Sequence, residues 1–315
     1  MLGPQPYNQY GAYLTKLFGC RVQKISLDAG LSCPNRDGTK GTGGCIYCDD
    51  RGSGTGAYAQ IPSISNQIQQ GISQLKILHR AEKFIAYFQS FSNTYAPVEK
   101  LKSLYQEALS IDDVVGLSVG TRPDCINPEI LDLLAGFQNS HLVWIEYGLQ
   151  SFHSRTLALI NRGHTIEDFI RAVEETRKRK INICVHIILG LPGEGLEDCL
   201  FTADRLAELD IQGLKIHSLY INRGTLLETW YQQGRYRPIL QDEYVEWVCR
   251  FLEHCPTHWI IQRITGDPDP VKLAAPLWTL KKQETLKMIR DRFRETGGFQ
   301  GAWLKRGGDE KNIRR

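Results

Sequence analysis

The sequence lacks several features that would assign it to a special class of protein. It has no apolar run of the 18 or more residues that a membrane-spanning helix needs. Its first residues lack the basic segment and apolar core of a secretory leader, so we expect a cytoplasmic protein without a membrane partner. A strong excess of one charge is also missing, because 38 Lys and Arg residues are balanced by 35 Asp and Glu. With 42% hydrophobic and 23% charged residues, the composition excludes disordered and fibrous proteins.

Strand-like and helix-like segments alternate along most of the 315 residues. Apolar runs such as KFIAYFQSF and HLVWIEYGLQS have the composition of buried strands, and amphipathic segments such as PVEKLKSLYQEALS separate them. Near residue 221 this rhythm changes to a connector, two helices and one further strand-like run. The sequence therefore predicts an α/β fold, with a partial TIM-type (β/α)6 barrel over residues 1–220 and a small α+β extension over 221–315 whose last residues are flexible.

Three of the nine cysteines lie in one loop, SCPNRDGTKGTGGCIYCDD, which is too rich in glycine, proline and asparagine to be a helix or a strand. An odd number of cysteines does not suit a disulfide framework, and Cys45 and Cys48 have Cys-x-x-Cys spacing, to which Cys33 can add a third thiol. The loop follows a strand-like run at 22–27, and barrel proteins carry their chemistry at the carboxyl ends of strands. The sequence thus predicts a metal centre at the mouth of the barrel.

Two metal centres fit the cysteine spacing. A structural zinc site takes four ligands, and Cys20 is the candidate for the fourth. An iron–sulfur cluster of four irons is the alternative, and it can leave one iron open to another ligand. Cys20 precedes the predicted strand, which places it roughly 20 Å from the loop. We therefore expect Cys20 to be structural, as are the five cysteines without metal-like spacing: Cys125, Cys184, Cys199, Cys249 and Cys255.

Further motifs end the predicted strands. GLQSF, NRGH and IILGLPGE stand where barrel enzymes keep their ligand contacts. Together with the cysteine loop they resemble the radical S-adenosylmethionine (radical SAM) enzymes. The segments CPNRDGTKGTGGCIYC, SVGTRPDCI, LKIHSLYINRGT and ITGDPDPVKLAAP resemble in particular the YhcC-like branch, which is related to the catalytic subunit of elongator. The resemblance covers nearly the whole chain and implies a radical SAM barrel.

The resemblance also implies cofactors and their ligands. It assigns Cys33, Cys45 and Cys48 to three irons of a [4Fe-4S] cluster, while S-adenosylmethionine binds the fourth iron. Reduction by an electron donor of the flavodoxin or ferredoxin type then yields a 5′-deoxyadenosyl radical, which abstracts hydrogen from the substrate. The positions that match the family's contacts to S-adenosylmethionine are Tyr47, Gln150, Arg162, Gly190, Leu191 and Pro192.

One spacing and one residue depart from the family pattern. Many radical SAM enzymes have three residues between their first two cysteines, whereas eleven separate Cys33 from Cys45. Related enzymes also have a glutamate where this sequence has Gly120. The acidic contact to the cofactor is therefore missing, or another group supplies it.

The substrate is less well indicated than the cofactor. His186 and His217 lie on successive predicted strands and are expected to point into the barrel, while Arg122 and Asp124 form either a local ion pair or a substrate contact. The relation to elongator suggests the wobble uridine of tRNA, and residues 281–315, with eleven Lys and Arg against five Asp and Glu, could contact RNA phosphates. Two alternatives stay open: radical chemistry on a small molecule, and a non-catalytic RNA-binding module stabilised by zinc.

Overall fold

A computed structural model of the chain describes residues 5–52 and 63–305. In these residues the strands are β1 (Val22–Leu27), β2 (Lys83–Phe88), β3 (Val114–Thr121), β4 (Leu142–Gln150), β5 (Asn182–Leu189), β6 (Gly213–Ser218), β7 (Ile221–Asn222), β8 (Ile260–Arg263) and β9 (Leu273–Ala275). The helices are α1 (Tyr10–Phe18), α2 (Ile64–His79), α3 (Val98–Leu109), α4 (Pro128–Gly136), α5 (Ser154–Leu159), α6 (Ile166–Lys178), α7 (Leu196–Ala207), α8 (Leu226–Gln232), α9 (Gln241–Glu253) and α10 (Lys282–Thr296). Within these residues no helix is long and apolar enough to cross a membrane.

The strands form a seven-stranded sheet in the order β1-β2-β3-β4-β5-β6-β8. Neighbouring strands from β1 to β4 pair in parallel, and so do β6 and β8. The α/β class, with helices between parallel strands, is confirmed. The strand predicted within the C-terminal extension is β8, which joins this sheet beside β6. Three features lie outside the predicted pattern: α1, the short helix α5, and the antiparallel pair that β9 makes with β7.

The described chain divides into two compact units. The cysteine-loop unit comprises residues 11–52, 63–149 and 162–185, and the C-terminal unit comprises residues 5–10, 150–161 and 186–305. The predicted domain boundary after residue 220 remains a prediction, and the predicted flexible end, residues 306–315, lies outside the described residues.

Local sequence signals determine where the helices begin. Asn127 caps α4 by accepting a hydrogen bond from the Ile130 amide, and Pro128 occupies the first helical position, where its missing N–H costs nothing. Thr165 and Asp168 form a capping box at the start of α6. These starts place the loops that precede α4 and α6 beside the carboxyl ends of β3 and β4.

Close packing shows which face of each strand meets the helices. A Cβ atom on Gly71 of α2 would lie 2.6 Å from Cγ2 of Ile25 on β1, so only glycine lets the two elements approach this closely. On β4, the Tyr147 hydroxyl lies 2.7 Å from the Thr176 hydroxyl of α6. Because side chains alternate along a strand, Lys24 of β1 and Glu146 of β4 lie on the face of the sheet opposite α2 and α6.

Candidate cofactor and active site

The cysteine loop begins after the carboxyl end of β1 and is shaped by tight turns. The Arg36 amide donates to the Cys33 carbonyl at 2.8 Å, and the Cys48 amide donates to the Cys45 carbonyl at 3.0 Å. Cys33 and Cys45 are buried and Cys48 is half-buried. Cys20 precedes β1 and therefore lies at the other end of that strand from the loop.

The long segment between Cys33 and Cys45 is fastened to its surroundings. Lys40 pairs with Asp124 at 2.6 Å, and the Thr39 hydroxyl lies 2.9 Å from the Tyr95 hydroxyl. The eleven-residue spacing is therefore accommodated by specific contacts to the chain that follows β2 and β3.

Asn35, within the cysteine loop, packs between Gly41 of the same loop and Gly163 of the NRGH motif. Its side chain is buried, and its Nδ2 lies 3.9 Å from Sγ of Cys45. A Cβ atom on Gly41 would lie 2.6 Å from Oδ1 of Asn35, and one on Gly163 would lie 2.7 Å from it. Gly163 also has a φ of +72°, which glycine adopts without steric cost. These two glycines make room for the asparagine beside Cys45.

Arg122 and Asp124 form a buried ion pair beside the loop. The Arg122 guanidinium donates to both carboxylate oxygens of Asp124, at 2.9 and 3.0 Å, and to the carbonyl of Arg162 at 2.6 Å. Burial opposes ionisation of Asp124, but the hydrogen bonds and charges of Arg122 and Lys40 lower its pKa to about 2. The pair thus joins the cysteine loop to the segment that carries Arg162. A role in catalysis for either residue stays a prediction.

Arg162 points toward the cysteines. Its guanidinium donates to the Gly148 carbonyl at 2.6 Å and lies 3.6 Å from Sγ of Cys45. His164, from the same NRGH motif, has Nε2 3.1 Å from the same carbonyl. Burial and the nearby Arg162 charge lower the pKa of His164 to about 3, so the imidazole is neutral at physiological pH. Gly148, near the end of β4, therefore anchors two side chains at the site.

The electrostatics favour a thiolate at Cys45. A hydrogen bond with Cys48, opposed by burial and supported by the charge of Arg162, holds the pKa of the Cys45 thiol well below its usual range. Tyr47 is buried between these cysteines, and burial raises the pKa of its phenol. Cysteine ligands of iron–sulfur clusters are thiolates. Three thiols in one loop, with the buried Arg162 guanidinium beside the Cys45 sulfur, fit the predicted [4Fe-4S] cluster.

A buried polar cluster in the cysteine-loop unit lies on the face of the sheet opposite α2 and α6, and it was not predicted from the sequence. Lys24 and Ser118 both donate to the Glu146 carboxylate, which is completely buried, and the Lys24 ammonium lies 4.6 Å from the centre of the Tyr87 ring. A Cβ atom on Gly120 would lie 3.5 Å from the Tyr87 hydroxyl. Tyr87 therefore places a polar group next to Gly120, the position at which the family resemblance leads us to expect a glutamate.

The remaining predicted contacts belong to the C-terminal unit. Gln150 ends β4 with a φ of +79°, and Gly190 begins the turn after β5 with a φ of +87°. The rings of His186 and His217 lie 5.5 Å apart between their centres, on neighbouring strands. The two rings are thus adjacent, whereas their orientation into the barrel and their role in substrate binding stay predictions.

The basic C-terminal segment is largely neutralised where it is described. On α10, Lys287 pairs with Asp291 at 2.7 Å, and Arg292 pairs with Glu246 of α9 at 2.7 Å. Arg294 also pairs with Asp291, at 2.9 Å. The described part of this segment is therefore not a bare cationic surface, and residues 306–315 lie outside the described chain.

Comparison with known proteins matches this site to one family. The Radical SAM superfamily model matches residues 37–206, and the Radical SAM C-terminal domain model matches residues 211–295. Protein YtqA of Bacillus subtilis is 40% identical over 307 residues, covering 98% of this chain and 95% of the relative. Protein YhcC of Escherichia coli is 39% identical over 300 residues, covering 95% and 96%.

Two more distant similarities involve a curated relative and a solved structure. A tRNA uridine(34) acetyltransferase of Dehalococcoides mccartyi is 27% identical over 180 residues, which cover 55% of this chain and 39% of that protein. The structure of archaeal Elp3 from Methanocaldococcus infernus superposes with a TM-score of 0.66 and 16% identity, covering 89% of this chain and 64% of that one. This second likeness concerns the fold.

Proposed function

The chain belongs to the radical SAM superfamily, and we propose that this enzyme modifies the side chain of the wobble uridine of tRNA. Membership implies a [4Fe-4S] cluster and S-adenosylmethionine, which together supply a 5′-deoxyadenosyl radical for hydrogen abstraction. The observation that carries the cofactor assignment is the loop of Cys33, Cys45 and Cys48, in which the first two are buried and the Arg162 guanidinium lies 3.6 Å from the Cys45 sulfur.

In this proposal the loop residues hold the cluster, and the surrounding contacts keep them in place. Lys40 and Asp124 anchor the segment between the first two cysteines, while Asn35 and Arg162 face the Cys45 sulfur. Buried N–H groups near a cysteine sulfur stabilise its negative charge and influence the cluster's reduction potential. Arg162 also presents the cation that a carboxylate of the cofactor's methionine moiety needs.

The substrate assignment rests on similarity and on the polar interior. The 27% identity to a tRNA uridine(34) acetyltransferase supports a related RNA substrate. In the cysteine-loop unit, one face of the sheet carries Lys24, Tyr87, Ser118 and Glu146. In the C-terminal unit, His186 and His217 lie together on neighbouring strands. Such groups suit a polar nucleobase, which offers several hydrogen-bond donors and acceptors.

The cofactor assignment is tested by anaerobic reconstitution with iron and sulfide. We expect about four irons and four sulfides per chain, and 5′-deoxyadenosine from added S-adenosylmethionine after reduction. Cys45→Ala should lose both, whereas Cys20→Ala, which removes a half-buried thiol before β1, should retain both. Bound zinc without labile sulfide would contradict the assignment and favour a structural metal site.

The substrate assignment needs a separate experiment. The loaded enzyme is incubated with reductant, S-adenosylmethionine and tRNA from cells that lack the gene, and digested nucleosides are analysed by mass spectrometry. We expect a mass change at the wobble uridine with wild type and none with Cys45→Ala. Production of 5′-deoxyadenosine without any change in the RNA would refute the tRNA substrate and favour a small molecule.

A further inference from the structure

The residues that line a cavity of about 300 Å³ all belong to the C-terminal unit. One wall is the turn at 190–194 after β5, and a second is the connector at 235–239 between α8 and α9. Glu243 and Trp247 of α9 complete the lining. The volume is at the lower end of the range for small-molecule pockets, which is the size of a single nucleoside.

The cavity's walls are held together by buried contacts. The Tyr236 hydroxyl donates to the Gly190 carbonyl at 2.7 Å, and both residues are buried. A Cβ atom on Gly190 would lie 3.0 Å from Cγ2 of Ile239, and the Trp278 indole donates to the Ile239 carbonyl at 3.0 Å. Because these partners are shielded from water, breaking them would leave unsatisfied polar groups. The cavity is therefore formed in advance of any ligand.

Two arginines stand at the rim of this cavity. Arg235 and Arg237 line it and both are exposed, and the Arg235 guanidinium lies 5.0 Å from the centre of the Trp230 ring. Arg237 is opposed by Glu243 at 3.9 Å, with both side chains substantially exposed, so this ion pair is weak and easily exchanged. Guanidinium groups in such a setting bind phosphate oxygens well.

The walls next to the arginines offer flat apolar surfaces. Pro192, Pro238 and the half-exposed Trp247 line the cavity. The Glu243 carboxylate, whose Oε2 accepts from the Leu240 amide at 2.9 Å, is an acceptor at its edge. An indole is a stacking surface for a nucleobase. Glu194, the other acidic residue in the lining, is occupied by a hydrogen bond from the Ser151 hydroxyl. A stacking ring, a carboxylate acceptor and two arginines together match a base with its phosphate.

We propose that this cavity binds a ribonucleotide, and that its source is a nucleotide of the RNA substrate lying outside the reacting position. The inference rests on the proposed function for the identity of the RNA, but the nucleotide chemistry follows from the lining alone. The turn at 190–194 is both a wall of the cavity and the segment expected to contact the cofactor. A nucleotide bound here would therefore share this turn with the predicted cofactor contact.

The experiment measures RNA binding by fluorescence anisotropy, with a labelled tRNA anticodon stem-loop and the full chain at several salt concentrations. Arg235→Ala/Arg237→Ala removes the two cations, and Trp247→Leu removes the ring. The matched control is Arg171→Ala/Lys178→Ala, which removes the same charge from exposed positions on α6. Competition by uridine 5′-monophosphate forms a second arm, and circular dichroism confirms that each variant is folded.

We expect the arginine double variant to bind the stem-loop at least tenfold more weakly and with a smaller salt dependence, because two phosphate contacts are lost. Trp247→Leu should weaken binding about five- to hundredfold with the salt dependence unchanged, since stacking does not involve ions. The control should bind like wild type. If the double variant and Trp247→Leu lose only uridine 5′-monophosphate binding, the source is a free nucleotide and the RNA part is refuted.

Equal binding of both probes by wild type, the double variant and Trp247→Leu would overturn the proposal. So would the absence of any stem-loop binding by wild type at low salt together with no binding of the mononucleotide. The two proposals fail separately, because cavity-dependent RNA binding without any modified nucleoside would leave this inference intact while refuting the proposed function.

Discussion

The packing around Asn35 makes Gly163→Ala a quantitative test of how the cysteine loop is held. The added methyl group would lie 2.7 Å from Oδ1 of Asn35 and 3.4 Å from Nη2 of Arg122. A Cβ atom on Gly41 would lie 2.6 Å from the same oxygen, so Asn35 is closely packed on that side as well. The substitution therefore forces the loop beside Cys45 to move.

Two costs add in this variant. A non-glycine residue at a φ of +72° costs about 1–2 kcal/mol, and overpacking a close-packed site costs about 1–3 kcal/mol more. The matched control is Gly19→Ala, because Gly19 has the same φ of +72° and no heavy atom within 4 Å of its Cβ position. Gly19→Ala should incur only the first cost, so the difference in free energy of unfolding between the two variants measures the steric contact with Asn35.

The assay is urea unfolding of the cluster-free protein at pH 7, followed by circular dichroism. We expect a free energy of unfolding lower by about 2–5 kcal/mol for Gly163→Ala and by about 1–2 kcal/mol for Gly19→Ala. Reconstituted Gly163→Ala should also retain less iron than Gly19→Ala. Equal losses of stability and equal iron contents in the two variants would show that Asn35 does not fix the loop.

Three further outcomes are expected. Asp124→Asn removes a carboxylate with a pKa of about 2. The ionised carboxylate stabilises the wild-type fold by about 2 kcal/mol above pH 4, and this contribution is lost as the pH falls toward 2. If the difference in urea midpoint between wild type and variant does not shrink with acid, the reasoning is contradicted. Tyr236→Phe leaves the Gly190 carbonyl without its donor, so the free energy of unfolding should fall by about 1–3 kcal/mol, and the affinity for S-adenosylmethionine should fall as well. The control Tyr244→Phe also loses a buried hydrogen bond, but it should lower only the free energy of unfolding. Glu146→Gln takes away the buried charge of an ion pair and should cost about 3 kcal/mol by thermal unfolding; an unchanged midpoint would refute it.

Many of these features could be predicted because they depend on local signals. The α/β class followed from apolar runs separated by amphipathic segments, and the start of α6 followed from the Thr165 capping box. The three clustered cysteines followed from spacing, and the family followed from motifs at strand ends. These features depend on neighbours in the chain, which the sequence displays directly.

Other features required the folded chain. The sequence marked Lys24 and Glu146 only as isolated charges within strands, and their pairing joins residues 122 positions apart. The approach of Arg162 to Cys45, and the fit of Asn35 between Gly41 and Gly163, likewise depend on how loops pack. The cavity beside Tyr236 depends on a connector that follows α8.

The sequence by itself therefore determined the kind of sheet, the cysteine loop and the cofactor family, because each is encoded in short-range patterns of residue type. Only the tertiary structure decided which buried charges compensate each other, which arginine faces the cysteine sulfur and where a nucleotide-sized cavity forms. The physical reason is that burial and electrostatic pairing depend on distances between residues far apart in the chain, and those distances are set when the elements pack.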